Sequence, residues 1–424
     1  MSLVKTSLLN GIAVAIRMGA GLLLNKILAV YVGPTGYAAI GQLQNLISIV
    51  TTFAAGAVNT GVTKYTAEYK ANPGNLAKLW RTAGTITVVG TAFTSLLLFY
   101  FKGEIAARLL GDRIATLAVT WLAVCLLLIS LNALFLAILA GQKEVRRFVL
   151  ANICGSIIGL AVSGLLARFY GLQGVLVALS LSQAISFLAT LIMCRNQPWC
   201  RPSRLFGKVD LPEARKLSSF VIMALTTAAV VPLSQILIRN HIGAVFDLSY
   251  AGYWDAINKI SAIYLTLVTT TLSLYFLPRV AEISDAETLR REIGSAYKII
   301  IPVISMASIG IYLAREFVVR SLFTEEFTPM GELMGWQLLG DVIKVASWLL
   351  AYVVIGKAML KTFVVTEVFF SISLYLLTIL LARLVGPSGL TMAYAVNYSL
   401  YFIVMYWIVM HRPIFKPPAS QQHS

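Results

Sequence analysis

The chain has 424 residues, of which 58% are hydrophobic and only 12% charged; soluble globular proteins average about 25% charged. So few charges do not cover a water-facing surface, which excludes a soluble enzyme or binding module and leaves a polytopic membrane protein. A formal net charge of +16 would point to nucleic acid in a soluble chain, but its distribution here gives a different account.

The N-terminus MSLVKTSLLN lacks a strong basic region, and no small-residue cleavage site follows the first apolar run, so that run is read as a retained span. Apolar segments of about 20 residues, the length that crosses a bilayer, are predicted near 8–31, 37–61, 83–101, 115–140, 149–167 and 175–194. The basic stretch RNQPWCRPSRLFGKVDLPEARK (195–216), with three prolines, then reads as a cytoplasmic linker lying partly on anionic lipid. Six more spans follow near 217–238, 251–277, 299–314, 332–355, 363–382 and 390–410. The predicted organisation is an N-terminal six-helix bundle (1–195), a linker (196–216), a C-terminal six-helix bundle (217–410) and a tail (411–424).

Twelve spans put both termini on one side. Of the 34 Lys and Arg residues, 22 fall in the loops of that side and the termini, 8 in the alternate loops and 4 inside spans. Basic loops face the cytoplasm, so both termini are expected there, and the excess charge calls for no nucleic-acid partner. Cys125, Cys154, Cys194 and Cys200 have no CxxC spacing and read as small core residues. His241, His411 and His423 fall in loops or at span ends and mark no metal site. No Walker-type phosphate loop is present, and no long outer loop carries an acidic catalytic constellation, so the chain is not expected to be an enzyme.

The two halves repeat. GQKEVRRFVLANICGSIIGLAVSGLLARFYGLQG (141–174) aligns without gaps on GKAMLKTFVVTEVFFSISLYLLTILLARLVGPSG (356–389) at an offset of 215, and the same offset pairs Trp121 with Trp336. At an offset of 213, Tyr37, Asn45 and Ser48 pair with Tyr250, Asn258 and Ser261. Six spans is an even number, so the halves share one orientation and are expected to be related by a pseudo-two-fold axis along the membrane normal, with a substrate site near mid-membrane.

Within the spans, Asp341 and Lys344 lie about 60° apart on one helix face, and Asp255 and Lys259 are one turn apart. Each pair is expected to neutralise itself in part. The repeat places Leu126 and Ile129 opposite Asp341 and Lys344, and Gln42 and Leu46 opposite Asp255 and Lys259, so the charges are additions to the C-terminal half. Ionisable residues at this depth usually face a pathway. Arg17 and Asn25, eight residues apart, join Lys259 and Lys344 as candidate cavity residues that bind substrate; Asp255 and Asp341 are candidate cavity acids that set geometry or take a coupling ion, H⁺ or Na⁺. Lys26 is expected to snorkel outward, and Glu367 to sit near a span edge. The deep set is net cationic, which suits a phosphate or pyrophosphate headgroup.

The stretches GAGLLLNKILAVYVGPTGYAAIGQLQNL (19–46), NTGVTKYTAEY (59–69), WQLLGDVIKVASWLLAYVVIGKA (336–358) and FVVTEVFFS (363–371) resemble the bacterial O-antigen and enterobacterial common antigen lipid III flippase family, in the polysaccharide branch of the multidrug/oligosaccharidyl-lipid/polysaccharide exporter superfamily. The resemblance implies an all-α membrane fold of two six-helix bundles in a V, working by alternating access. It implies a cargo of undecaprenyl-pyrophosphate-linked oligosaccharide moved to the periplasmic leaflet of the inner membrane, with a polysaccharide polymerase and chain-length proteins as candidate partners. It carries over Asp341 and Lys344 in GDVIK. A cation-coupled drug exporter and a lipid II flippase are the alternatives of the same architecture.

Overall fold

The computed structural model describes residues 3–55, 58–110, 116–283, 285–357 and 359–411. Helix forms along every predicted apolar run, and glycine, proline and short turns set the breaks. Helix α1 (Leu3–Ala54) holds the first two predicted spans and breaks at Gly33, whose φ of 65° suits a residue without Cβ; Pro34 follows. Then come α2 (Asn59–Glu68), α3 (Pro73–Leu110) and α4 (Thr116–Gly141). Helix α5 (Val145–Cys194) holds the fifth and sixth spans and breaks at Gly171. A short α6 (Pro202–Leu205) lies in the predicted linker, followed by α7 (Leu211–Val245) and α8 (Leu248–Thr271). Helix α8 runs through a π-turn (Leu272–Phe276) into α9 (Leu277–Glu282). The remaining helices are α10 (Ala286–Leu313), α11 (Arg315–Leu322), α12 (Met330–Gly356), α13 (Leu360–Val385) and α14 (Ser388–His411). With both legs of α1 and of α5, the described residues supply the twelve long helical legs predicted.

The internal repeat is visible in backbone geometry. Gly171 and Gly386, 215 residues apart, both have positive φ (54° and 75°). Three residues on, a Cβ at Gly174 would lie 2.1 Å from the carbonyl oxygen of Leu166, and one at Gly389 would lie 2.2 Å from that of Leu381. Leu166 and Leu381 are themselves repeat partners. The LLAR-x-x-G-x-x-G pattern is therefore a tight helical hairpin in which the first glycine turns the chain and the second admits a carbonyl.

The chain divides into two compact units, Met1–Ile236 with Leu322–Thr324, and Leu237–Ser321 with Glu325–Ser424. The division falls inside α7, not in the stretch 196–216. That stretch is built into the first unit: Trp199 and Leu205 are buried in one cluster with Leu79, Trp80, Phe135 and Phe187. Arg81 donates to the carbonyl of Ser203 (2.9 Å), and Gly84 leaves room for the carbonyl of Leu205, which would lie 1.9 Å from a Cβ there. The expectation of a linker resting on lipid is corrected to this extent: its aromatic and aliphatic side chains find a protein core. The second unit centres on Leu272, Phe276, Leu349, Leu350, Val353, Phe370 and Met405. Outward faces are apolar in both units, as with Phe93, Leu96 and Tyr100 on α3 and Phe369, Leu376 and Leu380 on α13, which suits helices solvated by lipid.

Candidate functional site

In the second unit, Asp341 stands midway along α12 and is fully buried. A buried carboxylate needs donors for its lone pairs. Three hydroxyls supply them: Ser261 (2.5 Å) and Tyr264 (2.6 Å) from α8, and Tyr394 (2.7 Å) from α14. The preceding residue makes the third contact available. A Cβ at position 340 would lie 2.5 Å from the Tyr394 ring and 3.1 Å from Ala395 Cα, so Gly340 lets α14 close on α12. One turn before Asp341, the Gln337 amide donates weakly to Asn258 Oδ1 (3.3 Å) and Ser261 Oγ (3.4 Å). Its Oε1 is buried without a hydrogen-bond donor. Ser308 of α10 lies 3.4 Å from the Tyr264 hydroxyl.

Lys344 follows on the same helix face and is half-buried. Its ammonium lies 5.0 Å from the Trp348 ring centroid, 5.2 Å from Tyr394 and 5.0 Å from Tyr398. Trp348 is four residues on along α12, and Tyr394 and Tyr398 are four apart on α14, so i,i+4 spacing on two helices builds a three-ring cage. The donors to Asp341 are hydroxyls, and Lys344 rests on aromatic faces. Each charge thus has its own partners beside the expected electrostatic interaction between the two.

Asp255 also has a partner of its own. Its carboxylate faces Arg239 of α7, which donates from Nε (2.7 Å) and Nη2 (2.6 Å) in a side-on bidentate pair. Both residues are buried, and the guanidinium also lies 5.6 Å from the Trp254 ring centroid. Lys259, one turn along α8, is half-buried. Guanidinium geometry explains the choice: two parallel donors match two carboxylate oxygens, which an ammonium does not.

Of the candidates in the first unit, Asn25 is buried and accepts from the Tyr37 hydroxyl (2.9 Å). Arg17 lies on α1, and its side chain is outside those described. Lys26, expected to snorkel outward, donates to the carbonyl of Phe323, whose ring packs edge-on against Tyr37 at 5.8 Å. Glu367 is half-buried two turns into α13. Among the described residues no cluster of His, Cys, Asp and Glu is arranged to hold a metal.

Residues 27–332 match the family described as "Polysaccharide biosynthesis protein". The chain is 31% identical over 409 residues to the lipid III flippase of Escherichia coli (strain K12), covering 95% of this chain and 97% of that one; the lipid III flippase of Shigella flexneri matches to the same extent. The chain belongs to this family of polysaccharide-biosynthesis flippases. Solved structures agree on the fold. A multidrug resistance MATE family transporter of the MOP superfamily in an inward-facing conformation aligns with a TM-score of 0.79 at 12% identity, over 93% of this chain and 97% of that one. The lipid II flippase MurJ aligns at 0.73 and 13%, over 97% and 88%.

The sequence of this flippase does not mark Arg239 as a site residue, because the seventh predicted span ends at residue 238 and leaves the arginine in a loop. Helix α7 runs on to Val245. A signal was available: at offset 213 Arg239 is the repeat partner of Lys26, already placed inside a span. The hydroxyls around Asp341 and the rings around Lys344 were legible only as common apolar-span residues.

Proposed function

We propose that this flippase moves an undecaprenyl-pyrophosphate-linked oligosaccharide from the cytoplasmic to the periplasmic leaflet of the inner membrane, by alternating access and without chemical change to the cargo. Both termini lie in the cytoplasm in this reading, as the loop charges require. The observation that carries it is the relation to lipid III flippases across 95% of the chain. The lipid tail stays in the bilayer, so the barrier to be lowered is the desolvation of the charged and sugar-bearing headgroup. Lys344 is assigned to the pyrophosphate, with Lys259 of the same unit as a further headgroup contact. A cation on aromatic faces supports this role: the rings hold the ammonium in place without neutralising its charge. Asp255 is assigned to structure through Arg239.

Asp341 is the candidate coupling acid, for H⁺ or Na⁺. The orphaned Gln337 Oε1, one turn away on a side chain whose NH₂ donates to the same Ser261 hydroxyl, supports a cation there, since hard cations take oxygen ligands. A polysaccharide polymerase and chain-length proteins are proposed partners on the periplasmic side.

The test is flux in proteoliposomes of a short-chain polyprenyl-pyrophosphoryl sugar, beside the matching monophosphate and a cationic dye. Protein-dependent flux of the pyrophosphate, reduced at least tenfold by Lys344→Ala with little change in melting temperature, is expected. Flux of the dye alone would overturn the cargo. Asp341→Asn is expected to remove the dependence of flux on a proton or sodium gradient; an unchanged dependence would remove the coupling role.

A further inference from the structure

The first unit holds a cavity that the transport reading does not use. It measures about 390 Å³ and is lined by the 197–204 stretch, the α4–α5 turn, the end of α2 and the start of α3. Volumes of this order accept small organic ligands. One wall, Pro73, Leu76, Ala77 and Trp80, is apolar. The polar lining is dominated by donors. Lys70 and Arg204 are exposed cations, and the Gln142 and Gln197 amides also line the space. The acid present, Glu144, is paired with Arg147 at 2.8 Å. With its amide turned so that its oxygen accepts from Arg147 (2.9 and 2.8 Å), Gln197 keeps its NH₂ as a donor. The independent observation is Trp199. Its ring is 98% buried, with 2% exposed, and its Nε1–H has no acceptor, whereas the neighbouring Trp80 donates to Thr66 Oγ1 at 3.0 Å. An unpaired buried donor is a loss that a ligand oxygen would recover.

We propose that this cavity binds an organic phosphate on the basic-loop side of the membrane: Lys70, Arg204 and the Trp199 N–H hold the phosphate oxygens, and the apolar wall takes the attached carbon skeleton. Acceptor-only oxygens carrying charge are the complement of a lining in which donors dominate and the one carboxylate is already paired. The same chemistry belongs to the phosphodiester of an anionic phospholipid and to a soluble phosphate monoester. A bound phosphate would bridge the 197–204 stretch to α3, so binding raises the stability of the first unit.

The experiment titrates the purified full chain in neutral detergent with dihexanoyl-phosphatidylglycerol, dihexanoyl-phosphatidylcholine and ribose 5-phosphate, reading melting temperature and equilibrium binding. Saturable binding of at least one of the two anionic probes is expected, with a rise in melting temperature. Weakening of at least tenfold is expected in Lys70→Gln/Arg204→Gln, and a smaller weakening in Trp199→Phe, which keeps the ring packing and removes the N–H. Preference for phosphatidylglycerol names the lipid as the source; preference for ribose 5-phosphate names a soluble ester. Binding that is equal in wild type and both variants, or equal for phosphatidylcholine and phosphatidylglycerol with no binding of ribose 5-phosphate, overturns the proposal. Because Lys344→Ala is expected to leave this binding intact, failure here and failure of the transport reading are distinguishable.

Discussion

At an offset of 215, Gly171 and Gly386 make the same left-handed turn, while Leu126 and Asp341, related by the same offset and each fully buried, share no chemistry. The contrast recurs at offset 213. Gln42 stands opposite Asp255, Lys26 opposite Arg239 and Leu46 opposite Lys259. Asn45 has a buried amide nitrogen without an acceptor, whereas its partner Asn258 donates to the Trp254 carbonyl (2.9 Å) and accepts from Gln337. Where backbone geometry forbids a Cβ, both halves obey alike. Where a side chain is free to vary, the second half concentrates charge and hydroxyls, and the first half keeps apolar or neutral groups at every compared position except Lys26.

Four sets of substitutions break or sharpen that contrast. The largest effect is expected from Asp255→Ala, which takes the carboxylate from the buried Arg239 guanidinium at about 3–5 kcal/mol. Replacing both residues by apolar ones of similar size should recover most of the loss, and Gln42→Ala in the first half should cost far less. Chemical unfolding in detergent measures all three; equal costs at Asp255 and Gln42 would erase the asymmetry. Next, Tyr394→Phe removes a hydrogen bond to a buried carboxylate, about 1.5–3 kcal/mol. Its repeat counterpart is the apolar Leu179, where Leu179→Phe removes no such bond.

Gly174→Ala and Gly389→Ala push a methyl onto a carbonyl, with an expected cost of about 1–3 kcal/mol each. These two costs should match; a large difference would mean that the hairpins are not equivalent. The smallest effect is expected at Asp285, the N-cap of α10, which accepts from the Thr288 backbone N–H at 2.7 Å. Hydrogen bonds from this N–H and the Thr288 side chain hold its carboxyl below the usual range. Its contribution is therefore complete above that range and is lost as pH falls below about 4. The melting-temperature gap between wild type and Asp285→Ala should be open at pH 7 and close in acid.

Much of the fold was legible because bilayer length and helical rise fix the spans, and because a gapless 34-residue repeat fixes which turns are equivalent. Asp341 and Lys344 stood out for a similar reason, since charge at that depth is rare. Their partners did not. Helical spacing identifies neighbours on one helix, so it paired Asp341 with Lys344 and Asp255 with Lys259. The contacts that hold the acids come from other helices: Arg239 from sixteen residues upstream, and Tyr394 from fifty-three downstream. The burial of 197–205 was hidden by its own composition. Prolines and arginines read as surface, yet Trp199 and Leu205 carry the packing.

The two offsets themselves leave a trace in the backbone. The repeat runs at 213 up to Ser261 and at 215 from Trp336 onward, so the second half is two residues longer in between. The π-turn at Leu272–Phe276 falls in that interval. A turn with i→i+5 bonds absorbs one added residue without ending a helix, so one of the two extra residues is accommodated as a local widening of the helix instead of as a loop. Deleting one residue within 272–276 would then regularise the helix while leaving α9 through α14 with their own register intact.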